Sequence, residues 1–81
     1  MKLVEKLREF ENQYVFMRWA TGSEYGKIIS VGDDFVEFDI IDTQTMAYRE
    51  TILIYATLIF EVSIGGADIA RIIAEVSSQL N

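Results

Sequence analysis

The chain has 81 residues, room for one domain over residues 1–81, and 51% of them are hydrophobic. That is more apolar surface than one small core readily hides, so some of it is expected at a subunit interface. There is no cysteine and no histidine, and the net charge is −6; this excludes disulfides, thiolate zinc sites and Ser-His or Cys-His nucleophile pairs, and argues against strong nonspecific nucleic-acid binding.

The N-terminal segment "MKLVEKLREFENQ" places Leu3, Val4, Leu7 and Phe10 at helical spacing, with charged residues opposite. It predicts an amphipathic helix over residues 2–12. It has no continuous apolar core, so it does not read as a signal peptide. From Tyr14 the period changes to two. "YVFMRWA" predicts strand one over residues 14–20, and "TGS" a turn. Strand two, residues 24–31, carries Gly26 in its interior, where a glycine marks a bulge, a bend or a close backbone approach. "GDD" turns the chain into strand three, residues 35–42, where Val36, Phe38 and Ile40 alternate with Glu37 and Asp39.

Strands four and five are expected over residues 46–54 and 55–64, followed by the glycine pair Gly65–Gly66. Ile69, Ile72, Ile73, Val76 and Leu80 then recur at helical spacing and predict a helix over residues 67–80. The apolar run from Ile52 to Ile64 is interrupted by Thr57, Glu61 and Ser63 and is too short for a membrane span. No membrane association is expected, and the default location is the cytoplasm. The fold class is therefore mainly β: five short strands in a strongly bent sheet or small barrel, with a helix at each end. Strands four and five are apolar almost without alternation, so both their faces should be buried. Left at an open edge they would aggregate, and pairing with a neighbouring copy solves this.

The motifs "YVFMRWATGSEYGKIISVGDDFVEFDII" and "MAYRETILIYATLIFEV" together resemble the Sm-like (LSm/Hfq-like) family, over Leu3 to about Ile64. The likeness lies in an N-terminal helix, a glycine turn, a second glycine inside strand two, an Asp turn and a Met-x-Tyr run. It implies a five-stranded small barrel with the Sm-like fold, and a homo-oligomeric ring of about five to seven subunits joined strand four to strand five. It also implies single-stranded RNA as a ligand and a role as an RNA-binding or RNA-chaperone module. The alternative is a structural or protein-interaction ring that has lost RNA binding. An added C-terminal helix is not part of that family's usual pattern.

The resemblance makes Asp33, Asp34, Phe35, Tyr48 and Arg49 the RNA-binding candidates. An aromatic at the position of Phe35 can stack on a base; it can equally be a half-buried strand residue. Arg49, beside Tyr48, matches a basic RNA-contacting position, yet Glu50 is adjacent and can neutralise it. Asp33 and Asp34 can meet a base edge or simply form the turn, since Asp bonds its own backbone there. Asp33, Asp34, Glu37, Asp39 and Asp42 offer oxygen ligands for calcium or magnesium, but their spacing fits no EF-hand loop, and strand alternation sets Asp42 on the other face from Glu37 and Asp39. No metal, cofactor or catalytic residue is expected, and the chain does not read as an enzyme.

Overall fold

The computed structural model describes residues 2–79. A short helix α1 (Leu3–Leu7) runs into a 3-10 turn at Arg8–Phe10. Strands β1 (Tyr14–Trp19), β2 (Gly22–Val31), β3 (Phe35–Asp42) and β4 (Ala47–Tyr55) follow in succession. A second 3-10 turn at Ala56–Leu58 leads to β5 (Ile59–Ser63), and α2 (Ala67–Gln79) ends the described chain.

The helix predicted to Asn12 stops earlier because the sheet captures the end of that segment. Ile28 donates its backbone N–H to the Gln13 carbonyl at 3.1 Å, and Asn12 adopts a left-handed φ of 66°. The carboxylate of Glu11 accepts the Val31 N–H at 2.9 Å. β1 and β2 close through only Ala20 and Thr21, since Trp19 already pairs with Gly22; the turn begins one residue earlier than predicted, and its glycine falls in β2. The predicted junction of strands four and five is a 3-10 turn instead. There the Ala56 N–H donates to the Asp34 carbonyl at 2.8 Å, pulling the chain toward the β2–β3 turn. Leu80, the last residue of the predicted C-terminal stripe, lies outside the described residues.

All five strands are antiparallel in one sheet of order β4-β3-β2-β1-β5. β1 is shared between β2 and β5, which leaves β4 and β5 as the two outer strands. The mainly β, helix-flanked architecture is what the residue pattern leads to. The sheet is open: β4 and β5 are not paired within the chain, so the expected barrel closure is not met by the backbone of one copy. Register shifts between Arg18 and Trp19, Ile28 and Ser30, and Ile40 and Ile41 interrupt the ladders, and such irregularities bend strands.

One face of the sheet carries the main core. Val15, Met17, Ile28, Val36, Phe38, Ile40 and Ile54 pack there beneath Val4 and Leu7 of α1. Gly26 belongs to this layer. A Cβ at that position would strike the Asp39 carbonyl oxygen and come within 2.8 Å of the Phe38 ring, so the close-approach reading of this glycine applies. The opposite face receives α2, which packs against β1 and buries Ile69 and Ile72. Tyr25 stacks on Phe16 at 4.9 Å between ring centres on that side, and its hydroxyl donates to Asp68 in the first turn of α2 at 3.1 Å. Burial, then the Asp68 carboxylate, hold this phenol above its ordinary pKa, with Arg71 opposing. Among the described residues, no helix is long and apolar enough to cross a membrane.

Candidate functional site

The five residues singled out in the sequence fall into two groups. Asp33, Asp34 and Phe35 form the β2–β3 turn and the first position of β3, where Phe35 pairs with Tyr55. Tyr48 and Arg49 lie near the other end of β4, with Tyr48 opposite Ile41. Tyr48 and Tyr55 are seven positions apart on β4, roughly 23 Å along the strand. One copy of the chain does not bring the two groups together.

The turn is tied down from both sides. Arg8 reaches across from the N-terminal segment and donates to the Val31 carbonyl at 3.4 Å, the Gly32 carbonyl at 3.3 Å and the Asp33 carboxylate at 3.2 Å. Asp34 contributes its carbonyl to Ala56, as described above. The Phe35 ring fills the space that a Cβ on Gly32 would need. Both aspartates are solvent-exposed. Each therefore has an architectural part in the turn, Asp33 through its side chain and Asp34 through its backbone.

Arg49 is engaged by two carboxylates, Glu24 at 3.2 Å and Glu50 at 3.6 Å. The second was visible in the sequence; the first comes from β2 and was not. The Tyr48 hydroxyl shares a 2.7 Å hydrogen bond with Thr51, which in turn donates to Asp39 at 2.6 Å. This end of β4 is a network of mutually satisfied polar groups with no net positive charge.

The residues that sequence reasoning did not single out lie on the outer strands. Leu53 and Tyr55 of β4 are 69% and 64% exposed, and Phe60 of β5 is 66% exposed. The expectation that both faces of these strands are buried is not met within a single copy. Asp34, Phe35, Leu53, Ile54 and Tyr55 line a shallow, mostly apolar depression of about 300 Å³. A larger cleft of about 510 Å³ lies beside β4, lined by Trp19, Ile52, Leu53, Ile54, Tyr55 and Leu58 together with the polar Glu24 and Arg49. The signal for these positions was present in the sequence as unbroken apolar runs. What could not be read was which side chains the bend of the sheet would leave uncovered.

Two unpaired strand edges with large exposed apolar side chains can extend a sheet by accepting another strand. No family model, curated protein or solved structure matches the chain.

Proposed function

We propose that this protein is a ring-forming module of the Sm-like kind, in which β4 of each copy pairs with β5 of the next and the bent sheets close into small barrels across the interfaces. The observation that carries this reading is the pair of open edges. β4 and β5 are the outer strands of one sheet, and both expose large apolar residues. An edge of this kind is a template for strand addition. Because the two edges differ, the contact is head-to-tail, and such contacts close into rings when the rotation per copy permits. Native mass spectrometry of the full chain tests the proposal: a single closed species of about five to seven copies is expected, and monomer alone at all concentrations would refute it.

Within that assembly, the structural or protein-interaction role fits the site better than RNA binding. Arg49 is occupied by Glu24 and Glu50, Asp33 by Arg8, and the chain carries a net charge of −6. Phosphate contacts supply much of nucleic-acid affinity and require available cations. The RNA reading retains one observation in its favour: Phe35 and Tyr55 are cross-strand neighbours beside an open apolar depression, an arrangement on which bases can stack. Fluorescence anisotropy of labelled uridine-rich and adenine-rich oligonucleotides separates the two. The structural reading expects no change at low salt with protein at tens of micromolar. A salt-sensitive rise that Phe35→Ala and Tyr55→Ala abolish would establish the RNA reading instead.

A further inference from the structure

The C-terminal helix is attached to the sheet apart from the main core. Among the described residues, that core runs from Val4 to Ile54, with Val62 the last residue packed against it, and takes in none of α2. α2 packs chiefly against β1. It buries Ile69 and Ile72, whereas Ile73 is half exposed. A polar link adds to these contacts: the Tyr25 hydroxyl of β2 donates to the Asp68 carboxylate at 3.1 Å.

The chain enters α2 through Gly65 and Gly66. A Cβ on either glycine would meet nothing within 4 Å, so the backbone there has open space around it. Gly66 has a φ of 117°, a value that favours glycine. Its carbonyl accepts the Ala70 N–H at 3.0 Å, so the first helical bond starts at the second glycine. Two glycines in open space make a joint that can absorb large φ/ψ changes. Beside this joint lies a cavity of about 190 Å³, lined by Phe16, Tyr25 and Ser63 from the sheet and by Asp68 and Ile69 from α2. Phe16 and Tyr25 are cross-strand partners, and their rings meet there at 4.9 Å.

We infer that α2 is a hinged strap: it closes over the Phe16–Tyr25 side of the sheet and opens as a unit about Gly65–Gly66 while the five strands stay folded. The balance of burial favours this order of events. Opening uncovers buried Ile69 and Ile72, whereas unfolding the sheet uncovers the ten buried residues of the main core, and the cost of exposure grows with apolar area. Segments held by few buried contacts open before the rest of a domain. A detached helix of 13 residues is marginal in water, so its backbone bonds are lost together with its contacts and the opening is cooperative. The Tyr25–Asp68 hydrogen bond is the latch, placed one turn from the joint. Opening uncovers Phe16 and Tyr25, which makes α2 the element that controls access to this face. All of these contacts lie within one copy, so the strap stands independently of the ring reading.

Native-state amide hydrogen exchange of the full chain, in urea concentrations below the unfolding transition, tests the strap. The hydrogen-bonded amides from Ala70 to Ser77 are expected to exchange at one common rate, at least about tenfold faster than those of β3 and with little dependence on urea. Tyr25→Phe removes the latch and keeps the ring. It is expected to speed exchange across α2 about threefold while the β3 amides keep their rates. Exchange of α2 at the β3 rate, with the urea slope of global unfolding, would overturn the strap, because helix and sheet would then be one cooperative unit. Rates that climb steadily from Ala70 to Ser77 would overturn it too, since they report fraying from the C-terminal end and no hinge. Exchange across α2 that is common and fast yet indifferent to Tyr25→Phe would overturn the latch.

Discussion

Gly26 and Arg8 show how single positions set the shape of this protein. Gly26 lies where the Asp39 carbonyl and the Phe38 ring leave no room for a Cβ. Gly26→Ala forces the β2–β3 backbone apart, an overpacking cost of about 2 kcal/mol that urea denaturation would measure. Arg8 acts on a different link, by holding the β2–β3 turn through two carbonyls and a carboxylate. Its side chain is half exposed, so Arg8→Ala is expected to cost about 1 kcal/mol. Asp33→Asn removes only the exposed ion pair and is expected to cost less than about 0.5 kcal/mol by the same measurement. The turn itself was legible in the sequence, because Gly-Asp-Asp between two alternating strands is turn chemistry. Its latch was not, since nothing local links Arg8 to Asp33 across 25 residues. The same reason hid Glu24 from the reading of Arg49, whereas the adjacent Glu50 was plain.

The C-terminal helix is the element whose attachment is most open to test. α2 reaches the sheet with buried Ile69 and Ile72 and accepts a hydrogen bond from Tyr25 at Asp68. Ile72→Ala is expected to cost about 3 kcal/mol, by lost transfer energy and the cavity left behind, read from urea melts. The Tyr25 link gives a pH dependence of definite sign. Its hydroxyl titrates above the ordinary phenol value near 10, so the neutral form is the one the docked helix favours. That contribution is fully present below the unfolded-state pKa and is lost as pH rises through the higher folded value. Thermal melts from about pH 8 to 11 should show a decline at the alkaline end that Tyr25→Phe reduces. At this scale the sequence was readable where a repeat ran long enough. The Ile69 and Ile72 stripe gave the helix, and the alternation of Val36, Phe38 and Ile40 gave β3. It misled where tertiary bonds decided the boundary: the backbone bond from Ala56 to Asp34 makes a 3-10 turn of what the apolar run presents as continuous strand.

For the whole molecule, the decisive feature is an imbalance. A single copy satisfies its central strands β1, β2 and β3 on both sides and leaves β4 and β5 each with one open edge. The excess of apolar residues in the composition first indicated a partner surface, and Leu53, Tyr55 and Phe60 show which residues make up much of that excess. Which copy meets which edge is a matter of assembly, beyond what the order of residues in one chain encodes locally. The proposal that β4 and β5 pair between copies is tested most directly by residue-resolved amide hydrogen exchange at protein concentrations above and below assembly. The account predicts that the outward-facing amides of β4 and β5 gain protection together as concentration rises, while the amides of β2 change little. Rapid exchange along both edges at every concentration would contradict it.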